Sequence, residues 1–110
     1  MRSAGLELTW HRSATPRPLA PAVSLAAYRI TQEALTNAAK HGTGSAELHT
    51  TWDVAALELE IINPTRPATA EDRPGLGLVG MRERAVANGG TLEAGLVGDR
   101  FVVAARLPAT

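Results

Sequence analysis

The chain has 110 residues and a formal net charge of zero, with 45% hydrophobic and 20% charged residues. These values predict one globular domain spanning residues 1–110, and they argue against a protein that binds the nucleic-acid backbone through positive charge. The absence of cysteine excludes disulfides, thiolate metal sites and thiol catalysis. No apolar run approaches the roughly 20 residues of a membrane span, so no membrane contact is expected. No nucleic-acid partner is expected either, because the net charge is zero.

The first half of the chain predicts a strand, a long helix and a hairpin. Alternating apolar residues predict a strand at 5–11, and three prolines follow in the connector. A helical pattern occupies 22–41, and strands at 46–52 and 56–62 are close enough for a hairpin. The apolar face of the first strand is made by Leu6, Leu8 and Trp10. The helix is predicted to bury one stripe, made by Val23, Ala27, Ile30, Ala34 and Ala38.

The second half predicts a long loop, a second helix and a second hairpin. Residues 63–77 form the loop, which is rich in proline at its start and long enough for a functional lid. A helix is predicted at 78–88, followed by strands at 91–96 and 100–107. This order predicts an α/β (α+β) two-layer sandwich, in which a mixed five-stranded sheet carries both helices on one face.

The first helix carries a polar cluster on one flank. Glu33, Asn37 and His41 are four residues apart, and Lys40 lies three residues after Asn37, so they are neighbours on the helix surface. A carboxylate, an amide oxygen and an ammonium suit a Mg²⁺-polyphosphate. Lys40 is also the sole lysine of the chain. The alternative interpretation is an ordinary solvated helix flank.

A glycine pattern, Gly75-x-Gly77-x-x-Gly80, opens the second helix at Leu78. No strand precedes it, and too little chain follows for a dinucleotide-binding sheet of repeated βαβ units. Glycines let the backbone approach a phosphate, and a helix start offers free N–H groups. The alternative is a loop hinge that allows close packing between helix and sheet.

The three histidines are widely separated in sequence. His11, His41 and His49 show none of the spacings typical of metal ligands. His11 and His49 are therefore predicted to be exposed strand residues without a metal.

Two segments together resemble a known family. Residues 28–41 resemble the N box of the ATP-binding catalytic domain of two-component sensor histidine kinases. Residues 75–84, with 88–94 and 101–108, resemble the glycine-rich box and C-terminal strands of that domain. The resemblance covers about residues 5–108, and it is nearest to the subfamily that works with response regulators of the helix-turn-helix type.

The resemblance implies a Bergerat-type fold with ATP between the first helix and the lid. Asn37 would hold Mg²⁺ bridging the phosphates, and Glu33 beside it would orient the metal or a water molecule. Lys40 and His41 would contact phosphate or ribose. The backbone that would close over the triphosphate belongs to Gly75, Leu76, Gly77, Leu78 and Gly80.

Asn63 stands at the one departure from the family pattern. The family has Asp-x-Gly-x-Gly where this chain has Asn-Pro-Thr-Arg-Pro at 63–67. In the family the Asp accepts a hydrogen bond from the adenine amine. The Oδ1 atom of Asn63 can also accept, but a neutral acceptor makes a bond weaker by a factor of about two.

The resemblance also implies partners outside this chain. The γ-phosphoryl group would pass to a histidine on a separate dimerisation domain, and from there to a response regulator. No helix with such a histidine is found here, so we expect a cytoplasmic catalytic half that is monomeric or weakly dimeric and cannot phosphorylate itself. The alternatives are an anti-sigma-type serine kinase on the same fold, and a non-catalytic interaction module that has lost its nucleotide.

Overall fold

A computed structural model describes residues 2–3, 6–65 and 77–109, with the backbone alone at 2, 3 and 41. The elements in chain order are β1 (Arg2–Ser3), β2 (Leu6–Ser13), α1 (Pro21–His41), β3 (Ser45–Trp52), β4 (Ala56–Pro64), α2 (Leu78–Ala87), β5 (Thr91–Val97) and β6 (Arg100–Pro108). Neither helix of the described part has the length and apolarity that a bilayer crossing requires.

The sheet has the strand order β1-β2-β3-β4-β6-β5. β2 and β3 are parallel because α1 connects them as a crossover, and the other neighbouring pairs are antiparallel. The five long strands confirm the predicted mixed sheet and both hairpins. The two-residue strand β1 at the edge is an addition that the sequence pattern does not predict.

Both helices cover the same face of the sheet and enclose one hydrophobic core. Alternate residues of the strands point into it, and small alanines let α1 lie close to the sheet. Ala27, which was predicted in the buried stripe, is only half-buried, and Ala26 is buried instead. The buried helix residues of the core cluster are Val23, Ile30, Ala34, Ala38, Met81 and Ala85.

Trp10 does not belong to this core, contrary to the expectation from its alternation with Leu6 and Leu8. The side chain is 52% exposed, because every residue of β2 after Leu8 lies outside the core. Its Nε1–H donates to the Thr50 hydroxyl at 3.0 Å, and the Arg12 guanidinium lies 4.4 Å above the ring centroid.

The turn between β3 and β4 is held by Asp53. Its Oδ1 accepts the backbone N–H groups of Ala55 and Ala56, at 2.7 and 2.8 Å, and its Oδ2 accepts from Arg106 at 3.1 Å. The Ala55 N–H, followed by the Ala56 N–H and the Arg106 side chain, lowers the pKa of the Asp53 carboxyl below its ordinary value. These contacts fix the register of the hairpin that leads into β4.

Candidate functional site

The polar flank of α1 is formed as the helical spacing predicts. Glu33 and Asn37 are half-buried at the edge of the covered face, and Lys40 is exposed. Glu33 and Asn37 are one turn apart, which corresponds to about 6 Å along the helix axis. The helix ends just beyond them, where the Gly42 N–H donates to the Ala38 carbonyl at 3.0 Å.

Gly77 brings the second motif to this flank. It precedes α2 with φ of 83°, a left-handed conformation that favours glycine. A Cβ atom at this position would collide with the carboxylate of Glu33, so that carboxylate lies directly against the Gly77 backbone. The polar flank of α1 and the start of α2 therefore meet at one place.

The start of α2 has the electrostatics of an anion site. Its N-cap residue, Gly77, makes no side-chain hydrogen bond to the first turn, and the N–H groups of that turn form the positive end of the helix dipole. The Glu33 carboxylate beside this end is negative, so a phosphate approaching it needs a cation between the two. Glu33 and Asn37 offer the carboxylate and amide oxygens that suit Mg²⁺.

Asn63 lies near the C-terminal end of α1, where the end of β4 approaches the helix. Its side chain is buried, at 5% exposure, and its Nδ2–H donates to the Pro64 carbonyl at 3.1 Å. A side chain at Gly42 would meet the Asn63 amide at 2.8 Å, and Gly42 forms a bridge with Thr65. The structure thus places Asn63 against the end of α1 that carries Lys40.

Several predicted site residues can be located only in part. Leu78 and Gly80 lie in the first turn of α2, and Leu78 packs against the core. Gly75 and Leu76 lie outside the described residues, as does the predicted lid apart from 63–65 and Gly77. Of His41 only the backbone is described, as the last residue of α1.

The structure also brings together residues that the sequence analysis kept apart. One ligand atom each of His11, Glu47 and His49 lies within 4.8 Å of the other two. His11 and His49 lie in strands as predicted, with His11 exposed and His49 half-buried, but nothing in the sequence pattern indicates that their side chains meet. Their sequence separation hides the contact, and only the pairing of β2 with β3 reveals it.

Comparison with known proteins identifies the fold. No protein-family model and no curated protein matches the chain. The histidine kinase AdeS of Acinetobacter baumannii matches 97% of the chain with a TM-score of 0.75 and 18% identity, over 56% of its own length. The nucleotide-free catalytic domain of the histidine kinase ThkA matches 97% of the chain with a TM-score of 0.73 and 16% identity, over 80% of its length. The fold is that of histidine kinase catalytic domains.

A third structure, full-length ShkA in complex with AMPPNP, matches 97% of the chain with a TM-score of 0.74 and 20% identity. The chain spans 26% of ShkA and slightly more than half of AdeS, so it corresponds to one part of those kinases. Identities this low show the shared fold alone. The activity of this chain has to be argued from its own residues.

Proposed function

We propose that this chain is the ATP-binding catalytic domain of a two-component sensor histidine kinase. It binds Mg-ATP and donates the γ-phosphoryl group to a histidine on a separate dimerisation domain. The observation that carries the proposal is the contact between Glu33 and Gly77, because it joins the polar flank of α1 to the start of α2. The shared fold and the AMPPNP bound to ShkA add support.

Each residue of the site has its own role in phosphoryl transfer, a reaction that depends mainly on positioning the reactants and on neutralising charge. Asn37 would hold Mg²⁺ through its amide oxygen, and Glu33 would orient the metal or its water. When bound, Mg²⁺ neutralises the charge of the phosphate oxygens. Lys40 and His41 contact phosphate or ribose, and the backbone around Gly77, with Gly75, Leu76, Leu78 and Gly80, closes over the triphosphate.

Asn63 is proposed to contact the base. Its Nδ2–H is already directed to the Pro64 carbonyl, which orients the amide and leaves Oδ1 as an acceptor for the adenine amine. Because this acceptor is neutral, we expect weaker discrimination between ATP and GTP than a carboxylate gives.

The partners follow from the same proposal. The phosphoryl group goes to a histidine-bearing dimerisation domain of the parent kinase, and then to a response regulator of the helix-turn-helix type. The reaction takes place in the cytoplasm, where ATP and the regulator meet.

Titration with Mg-ATP, by calorimetry or with a fluorescent ATP analogue, tests the nucleotide site. We expect saturable binding by the unmodified chain and a loss of roughly 10- to 100-fold in Asn37→Ala, since about 1.5–3 kcal/mol is expected for a polar contact to a charged group. Gln32→Ala, an exposed change on the same helix, is the matched control and should bind normally. In EDTA the difference between the two variants should disappear.

Two outcomes would contradict this assignment. No saturable signal up to millimolar ATP supports a non-catalytic interaction module instead. An unchanged dependence on Mg²⁺ in Asn37→Ala removes that residue from the metal site. The acceptor is tested with γ-labelled ATP and the helical domains of the parent protein, because phosphohistidine is acid-labile whereas the serine ester made by an anti-sigma-type kinase is acid-stable.

A further inference from the structure

The outer face of the sheet, which neither helix covers, carries a cluster of three side chains: His11, Glu47 and His49. In the parallel register of β2 and β3, His11 lies directly beside His49. Glu47 precedes His49 by two residues and so points to the same face. The alternate residues Ala46 and Leu48 are buried under the helices, which places the cluster on the opposite side.

The donor atoms of the cluster lie within 4.8 Å of one another. The Nε2 atoms of His11 and His49 lie 3.5 and 3.2 Å from the same Oε1 atom of Glu47. The two imidazole rings are stacked, with centroids 4.4 Å apart and planes 10° from parallel. Ligand atoms that surround a tetrahedral ion at bond lengths of about 2.0–2.1 Å are about 3.3–3.4 Å apart. Both measured distances to Glu47 are close to this spacing.

We propose that His11, Glu47 and His49 form a binding site for a divalent transition-metal ion of the zinc class. Two imidazoles and one carboxylate are the donor types that Zn²⁺ binds, and a fourth position remains for water. Mg²⁺ prefers oxygen ligands and is reluctant to lose its water, so this site does not compete for the ion that accompanies ATP. The site is therefore separate from the proposed nucleotide site in both position and metal preference.

The charge of the surrounding surface favours a cation. Glu58, Glu60 and Glu93 line an open depression of the outer face together with His49, and Glu60 lies opposite His49 in the β3–β4 register. Arg106 also lines this depression, but its guanidinium already pairs with Glu58 at 3.5 Å and with Asp53 at 3.1 Å. Clustered carboxylates of this kind raise the local concentration of cations.

The ligands can bind an ion without rearranging the core. Their side chains are 51%, 41% and 34% exposed for His11, Glu47 and His49, so an ion reaches them directly from solvent. When an ion binds, each Nε2 exchanges its contact with Glu47 for the ion and donates its lone pair, and the ring then carries its proton on Nδ1. A bound ion then links β2 to β3 and stabilises the folded state by mass action.

Calorimetric titration of the whole chain with ZnCl₂, in buffer without nucleotide or magnesium, tests the site. We expect one ion per chain. His11→Ala, His49→Ala and Glu47→Gln should each lower the affinity by at least the roughly tenfold that loss of a supporting metal-site residue causes. Glu83→Gln, an exposed carboxylate on α2 at the other side of the sheet, is the matched control and should leave the affinity unchanged.

A second measurement reports on the ligands themselves. In ¹⁵N spectra of the imidazole rings, the Nε2 signals of His11 and His49 should shift together and stop shifting at one equivalent of Zn²⁺. Absence of saturable binding, one ion shared by two chains, or unchanged affinity in the His11→Ala/His49→Ala double variant overturns the proposal. Because nucleotide is absent from the titration, a chain that binds Mg-ATP but not Zn²⁺ contradicts this proposal alone.

Discussion

At the scale of single residues, Asn63 has a structural role as well as its proposed role at the base. Its amide is buried beside Gly42 and donates to the Pro64 carbonyl. An aspartate at this position would have no N–H donor. One of its carboxylate oxygens would then face the Pro64 carbonyl oxygen, and neither atom could donate a hydrogen bond. The family pattern and the local structure of this chain therefore favour different side chains at the same position.

Asn63→Asp should thus make the protein less stable while increasing its preference for ATP over GTP. We expect a loss of about 1–3 kcal/mol at neutral pH, the usual range for leaving a buried polar group without a partner. The loss should shrink at acidic pH, because the protonated acid regains an O–H donor. Urea unfolding at pH 7 and pH 4 measures the stability, and competition between ATP and GTP measures the preference.

Asn88→Asp is the matched control for this change. The Asn88 Nδ2–H also donates to a backbone carbonyl, that of Arg84 at 2.8 Å, but at an exposed position. Water replaces the lost partner there, so the cost should be well below that of Asn63→Asp. If Asn63→Asp leaves the ratio of ATP to GTP affinity unaltered, Asn63 does not contact the base.

The histidines show which residue-level features a sequence reveals and which it hides. The spacing of Glu33, Asn37 and Lys40 follows from the helical period, so their common flank could be predicted from local pattern alone. His11 and His49 are 38 positions apart in the chain. Their contact depends on the register of a parallel pair, which is set by the α1 crossover and by the packing of both strands under it.

At the scale of elements, the site depends on where α2 begins relative to α1. The left-handed Gly77 turns the chain into α2 and allows Glu33 to lie against its backbone. A larger residue at this position would change both the backbone conformation and the location of the carboxylate. The two effects can be separated by comparison with Gly44, whose φ of 99° is also positive but whose surroundings are open.

Gly77→Ala and Gly44→Ala should cost similar stability but differ in nucleotide binding. Each places an L residue at positive φ, at a cost of about 1–2 kcal/mol. Only Gly77→Ala displaces Glu33, and because that side chain is flexible the further loss of stability should be small. Mg-ATP affinity should therefore fall in Gly77→Ala and stay normal in Gly44→Ala, as measured by calorimetry beside thermal unfolding. Equal affinity in both variants would show that the Glu33–Gly77 contact has no part in binding.

Most elements could be predicted from the sequence because their signals are local. The period-two strands, the helical periodicity of α1 and the glycine after its end place these elements to within two residues. Pro21, which the pattern assigns to the connector, is the first residue of α1. The prediction that Trp10 lies in the core is wrong because alternation indicates which face of the sheet a side chain is on. It does not indicate how far along the strand the helices cover that face. β1 has only two residues, too few to show any period.

At the scale of the whole molecule, the sheet separates two proposed binding regions. The nucleotide site lies among α1, α2 and the end of β4, and the metal site lies on the face that no helix of the described chain covers. Both depend on one hydrophobic core, since its buried residues hold the helices against the sheet and fix the register of β2 and β3. Loss of core packing should therefore affect the molecule as a unit.

Ile30→Ala tests this unity. Ile30 is fully buried at 0% exposure in α1, and removing such a side chain costs about 2–5 kcal/mol, a large part of the roughly 5–15 kcal/mol typical of a domain. Leu25→Ala on the same helix, at 56% exposure, should change the stability by no more than about 0.5 kcal/mol. In urea, circular dichroism reports mainly on the helices and tryptophan fluorescence on β2 and β3, which carry Trp10 and Trp52. If helices and sheet share one core, both signals should report the same midpoint of unfolding, at a lower urea concentration than in the unmodified chain. Separate transitions would show that the helices and the sheet unfold independently.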